Sequence, residues 1–63
     1  MVEQRVTNRS GQLVYVNGRP LQDGESTYVR TEDGAELRNT AGPVEARVIE
    51  WPDETTEVVI TAM

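Results

Sequence analysis

Glycines punctuate this chain at positions 11, 18, 24, 34 and 42. Four of them follow a turn-forming residue, in Ser10-Gly11, Asn17-Gly18, Asp23-Gly24 and Asp33-Gly34, and the fifth lies in Ala41-Gly42-Pro43. Asn-Gly and Asp-Gly supply the positive φ angles that tight hairpin turns need. The segments between the glycines are short, rich in Val, Thr, Tyr and Ile, and carry no apolar 3.6-residue stripe longer than a turn. This pattern predicts one small all-β domain over residues 1–63. The expected form is an antiparallel meander of about six short strands, closed into a small barrel or roll of SH3-like size, with an open curved sheet as second choice.

The turns also predict registers. A two-residue Asn17-Gly18 loop sets Val16 against Arg19, Tyr15 against Pro20 and Val14 against Leu21. Pro20 then falls at a non-hydrogen-bonded position, where its missing N–H does no harm if the strand lies at a sheet edge. A three-residue loop at Glu32-Asp33-Gly34 would pair Val29 with Leu37, Arg30 with Glu36 and Tyr28 with Arg38. The same rule at Arg9-Ser10-Gly11 pairs Val6 with Val14 and Arg5 with Tyr15. One inner face would then hold Val2, Val6, Val14, Val16 and Leu21. Residues 40–43 are the one break where the chain is expected to cross between two sheets.

The C-terminal segment is expected to form a hairpin from Val44–Trp51 through Pro52-Asp53-Glu54 to Glu57–Ala62. A five-residue loop sets Val48 against Ile60 and Ala46 against Ala62, and leaves Ile49, Trp51 and Val59 together on the second face. A four-residue loop shifts the pairs and still leaves apolar side chains on both sides. Such a hairpin is either central to the fold or offers one face for docking.

Composition removes several chemistries. The chain of 63 residues has no Cys, so neither a disulfide framework nor a thiolate zinc site is available. It has no His and no Lys, which removes Ser-His-Asp and Cys-His catalysis, the commonest metal ligand and Schiff-base chemistry. Six Arg stand against eleven acidic residues, a net charge of -5 that disfavours binding to phosphate backbones. Five carboxylates, Asp23, Glu25, Glu32, Asp33 and Glu36, crowd the central turns, but their spacing matches no EF-hand loop and reads as solvated hairpin tips. Ser10, Ser26 and several Thr are the available nucleophiles, with only carboxylates as possible bases. Glu50 and Glu57 could approach across the last hairpin, yet a chain this short has little room for a pocket of about 300 Å³ or more. The expectation is a protein that is not an enzyme and takes neither cofactor nor metal. Its N-terminus, Met1-Val2-Glu3-Gln4-Arg5, has no apolar stretch of the signal-peptide kind, and no apolar run is long enough to span a membrane.

Trp51, next to Pro52 and sharing a face with Ile49 and Val59, is either a core residue or an interface anchor, since Trp and Tyr concentrate binding energy at interfaces. Thr56, Glu57 and Val58 open a strongly β-prone segment with one charge and no lysine to blunt an edge. That segment is expected to be covered in the fold or to pair with a neighbouring chain. Tyr28, Arg30 and Arg38 form a secondary polar contact face in this reading.

The stretch Val6-Thr7-Asn8-Arg9-Ser10-Gly11-Gln12-Leu13-Val14-Tyr15-Val16-Asn17-Gly18, followed by Leu21 and Gly24-Glu25-Ser26, resembles small phage-encoded β proteins of the head-decoration, cement and tail-accessory kinds. The likeness covers about the first half of the chain and consists of turn punctuation, so no functional residues carry over. It implies a non-enzymatic structural protein, present in many copies or as a homo-oligomer, that grips a capsid or tail lattice or other copies of itself. Nucleic acid and membrane are not expected as direct partners, and the virion or host cytoplasm is the expected location. The alternative is a soluble acidic inhibitor of a host protein, a nucleic-acid-binding one included.

Overall fold

In the computed structural model, which describes residues 3–32, 34–53 and 55–63, the segments between turns form seven strands: β1 (Glu3–Arg9), β2 (Val14–Val16), β3 (Arg19–Leu21), β4 (Ser26–Arg30), β5 (Leu37–Asn39), β6 (Val44–Glu50) and β7 (Thr56–Ala62). They make two sheets, a four-stranded one in the order β4-β1-β7-β6 and a three-stranded one in the order β3-β2-β5. Among the described residues the sheets do not close into a barrel; the open arrangement is the one found.

The Asn17-Gly18 hairpin has the expected register, with Val14 opposite Leu21, Tyr15 opposite Pro20 and Val16 opposite Arg19. Both loop residues have positive φ, 52° and 82°, the combination that matches the right-handed twist of the flanking strands. Proline-bearing β3 lies at a sheet edge, as its missing donor requires.

Two other hairpins are not formed. β4 pairs antiparallel with β1, so Val29 faces Gln4, Tyr28 faces Arg5 and Arg30 faces Glu3. β5 instead pairs with β2, setting Leu37 against Val16 and Arg38 against Tyr15. The expected pairs Val29 with Leu37, Arg30 with Glu36 and Tyr28 with Arg38 are therefore corrected, as are Val6 with Val14 and Arg5 with Tyr15. The physical reason is burial. Exchanging partners puts Val6 and Val29 in one sheet and Val14, Val16 and Leu21 in the other, so the two apolar faces can cover each other. Asp33 and Val2, which entered the expected turn and inner face, lie outside the described residues.

The chain is also not a pure meander. β1 pairs with β7 in parallel, Arg5 beside Glu57 through Arg9 beside Thr61. Crossovers occur at 10–13, 22–25 and between β4 and β5 as well as at 40–43. In the last hairpin Glu50 faces Thr56, Val48 faces Val58 and Ala46 faces Ile60. That register is two residues from the expected one. A two-residue slip keeps every side chain on its face, so Ile49, Trp51 and Val59 still share the outer side.

The core comprises Val6, Val29, Val58 and Ile60 from the larger sheet and Val14, Val16 and Leu21 from the smaller, with Leu37 and Val44 packed at its margin. Asn8 is wholly buried among them. Its Nδ2 donates to the carbonyls of Gln12 (2.7 Å) and Leu21 (2.8 Å), while its Oδ1 accepts from Ser10 N (3.0 Å) and Oγ (2.6 Å). Its backbone N–H donates to Glu25 O, and its carbonyl accepts from Gly24 N. A buried amide left unpaired costs about 1–3 kcal/mol, so this complete set ties the end of β1 to two crossovers.

Candidate functional site

Alternation along the strands sends Val6, Val29, Val58 and Ile60 inward and places Tyr28, Arg5, Thr7, Glu57, Val59, Arg47 and Ile49 on the outer face of the four-stranded sheet. Across its middle runs a chain of polar contacts. Arg5 Nε donates to Glu57 Oε2 at 2.6 Å, and Thr7 Oγ1 donates to the same oxygen at 2.8 Å. Having spent its proton there, Thr7 accepts from Ser26 Oγ at 2.9 Å. The parallel register of β1 and β7 makes this possible by setting Arg5 beside Glu57.

Glu57 is buried, and the two donors together hold its carboxyl below the ordinary glutamate range; the Arg5 hydrogen bond is the largest cause, the Thr7 bond the next, and burial opposes both. Arg5 is correspondingly raised, first by that hydrogen bond and then by the charge of Glu57. A carboxylate so stabilised is a weak base, and the Ser26–Thr7–Glu57 chain ties β4, β1 and β7 together across the sheet. Glu50 falls on the opposite face of β6–β7 from Glu57, so the two carboxylates are not brought together.

Over this pair lies an open groove of about 390 Å³, larger than the length of the chain led one to expect, lined by Glu3, Arg5, Tyr28, Trp51, Asp53, Thr55, Thr56 and Glu57. Trp51 is 46% exposed and Tyr28 63% exposed, so neither is a core residue. The turn that presents Trp51 is fixed from both sides. Trp51 N donates to Thr55 O at 2.9 Å, and Asp53 Oδ1 accepts from the N–H and hydroxyl of Thr55. The Thr55 hydroxyl is the main reason that the Asp53 carboxyl is lowered. Glu54, the remaining residue of the expected turn, lies outside the described residues.

The expected contact residues are thus divided. Ile49, Trp51 and Tyr28 are exposed on the outer face, with Arg30 on the same side of β4, and Val59 is half-buried there. Arg38 is elsewhere, on the outer face of the smaller sheet beside Tyr15. Thr56 is half-buried and accepts from Gln4 Nε2 at 2.8 Å. Glu57 is engaged with Arg5, and Val58 is in the core. The β7 backbone is paired on both sides, by β1 and β6, so of the two outcomes expected for this β-prone segment it takes the covered one. Asp23 and Glu25 serve the turns, accepting from Gly11 N and Gln22 N respectively. Among the described residues no three carboxylates are grouped to hold a metal ion.

Sequence reasoning missed the role of β6. Covering β7 moves the sheet edge to this strand, whose seven residues are mostly exposed on both faces, with Val48 63% exposed on the inner one. The signal was present in Glu45-Ala46-Arg47, a charge alternation unusual in a strand destined for the middle of a sheet. No family model matches this chain, and no curated protein or solved structure matches it.

Proposed function

We propose that the protein is a non-enzymatic structural module that docks on another protein surface in many copies, in the manner of virion-associated decoration or stabilising proteins. The observation that carries this reading is the exposure, on one face of the four-stranded sheet, of Ile49 and Trp51 at one edge and Tyr28 at the other, with Trp51 and Tyr28 lining one groove. Aromatic side chains lose little conformational freedom on docking and dominate the energetics of protein interfaces. Arg5 and Glu57 between these residues are already paired with each other, so covering that pair strands neither ion. Arg30 supplies a polar rim next to Tyr28, where a charged group can stay hydrated in a complex. The resemblance of the first half of the chain to phage accessory proteins supports the choice of a virion lattice as the partner.

The test is co-sedimentation of the purified chain with virus particles from lysates in which it is made, at stoichiometries set by particle symmetry. Trp51→Ala is expected to weaken particle binding by about 30-fold, the equivalent of about 2 kcal/mol at an interface anchor. Its melting temperature should change little, because the side chain is half in solvent. A chain that is absent from every particle, or that binds equally well without Trp51, would overturn the reading. The acidic-inhibitor alternative predicts something different: tight binding to an isolated host protein, lost on charge reversal at Glu32 and Glu36.

A further inference from the structure

We propose that β6 pairs edge to edge with β6 of a second copy, antiparallel about a twofold axis at Ala46, joining two four-stranded sheets into one continuous sheet. This goes beyond docking of the outer face, because it uses the free backbone edge of the strand.

Which backbone groups face that edge follows from the pairing with β7. Trp51 N donates to Thr55 O, and Met63 N donates to Pro43 O. Both are pairs in the Glu50-to-Thr56 register, so the odd-numbered residues of this strand direct their N–H and C=O groups toward β7. The groups of Val44, Ala46, Val48 and Glu50 therefore point outward, and among the described residues no strand pairs with them. Pro43 does not block the edge, since its missing N–H would have pointed at β7. The other edges are shorter: β4 has five residues, β3 and β5 have three each, and β3 contains Pro20.

The side chains then select both the partner and the register. With Ala46 opposite its own copy, Val44 meets Val48 of the second molecule and Val48 meets Val44, which covers the exposed Val48. On the outer face Glu45 meets Arg47 of the second molecule, and Arg47 meets Glu45. These charged residues sit at the non-hydrogen-bonded positions, where opposed side chains approach most closely. Within one molecule Arg47 Nε already donates to Glu45 Oε1 at 2.5 Å. The dimer converts that exposed ion pair into an alternating cluster in which each charge has an opposite charge along its own strand and another across the interface. Pro43 meets Ile49, apolar against apolar. A register shifted by one pair toward the C-terminus puts Arg47 against Arg47 and Glu45 against Ile49. Shifting by a further pair puts Arg47 against Ile49 and Glu45 against Trp51. Only the first satisfies every side chain, and it is self-complementary, as a twofold interface must be. Charges usually blunt an edge strand; here their order matches a second copy of the same strand.

The experiment is analytical ultracentrifugation of the full chain across a concentration series, read together with amide hydrogen exchange. The wild type is expected to form a dimer. Arg47→Glu and Glu45→Arg should each raise the dimer dissociation constant by about tenfold or more, because each creates like-charge pairs twice across the axis. The double swap Glu45→Arg with Arg47→Glu should restore association, since it regenerates the same complementarity with signs exchanged. In the unaltered chain, the amides of Val44, Ala46 and Val48 should gain protection as concentration rises, a readout that needs no variant to fold. A chain that stays monomeric with those amides unprotected at every concentration would overturn the proposal, and so would a dimer indifferent to the charge reversals. Particle binding by the same variants separates the two ideas. An Arg47→Glu monomer that still binds particles leaves the docking face in place, whereas a Trp51→Ala dimer that no longer binds them leaves the edge pairing in place.

Discussion

Asn8 and Glu57 are the two polar side chains on which the larger sheet is organised, and they work by different physics. Asn8 is neutral and saturates its bonds inside the core, where its directional demands permit one arrangement of the crossovers around it. Glu57 is ionised and depends on Arg5 and Thr7, so its contribution carries a pH dependence. Its carboxyl lies below the ordinary range when folded, so the unfolded chain takes up a proton first as pH falls. The stability it supplies is complete above the unfolded glutamate value of about 4.3 and is lost progressively as the pH drops through the lower folded value. The expected outcome for Glu57→Gln is a lower melting temperature at neutral pH and a shallower acid limb. The slope of stability against pH below about pH 5 should decrease by about one proton, measured by chemical denaturation over a pH series. Neither role was legible beforehand. Asn8 reads as one polar residue in a Val/Thr-rich run, and Glu57 acquires its partner only through a strand pairing that spans most of the chain.

At the level of elements, legibility followed sequence distance. The Asn17-Gly18 hairpin could be read to the residue pair because two adjacent residues with positive φ leave one way to return the chain. Gly18→Ala tests that directly. No atom lies within 4 Å of the added methyl, so the cost is backbone strain alone, about 1–2 kcal/mol, with the side-chain packing of the hairpin unchanged. Asn17 adds a second function, donating through Nδ2 to Gly34 O and accepting at Oδ1 from Glu36 N, which holds the lead-in to β5 against the turn. The expected β4–β5 hairpin failed for the opposite reason. Its pairs were locally sensible, apolar with apolar and plus with minus, but cross-strand preferences of about 0.2–1 kcal/mol are smaller than the gain from covering both sheets' apolar faces. For β6 and β7 the face assignment survived and the register did not, because a slip of two residues leaves the inward set nearly unchanged. The strip of Ile49 and Trp51 was therefore readable from alternation alone. The free edge beside it was not, because edge status is a property of the whole sheet order.

For the whole molecule, the decisive feature is the parallel contact of β1 with β7 at the centre of the larger sheet. The side-chain bond from Gln4 to Thr56 joins residues 52 apart, as does the Arg5–Glu57 ion pair. A chain ending after Glu50 would lack the strand that separates β1 from β6 and would lose Val58 and Ile60 from the core. It is expected to show no cooperative unfolding by circular dichroism, while the full chain melts in one transition. The same contact bears on how the molecule comes into being. β1 is made before β7, so β1 and β4 can pair while the strand that joins them to β6 has yet to be synthesised. The larger sheet thus has no centre until β7 is available, and its apolar face stays in water until then. Synthesis of β7 and completion of the larger sheet are therefore coupled, because no other strand can bridge β1 and β6.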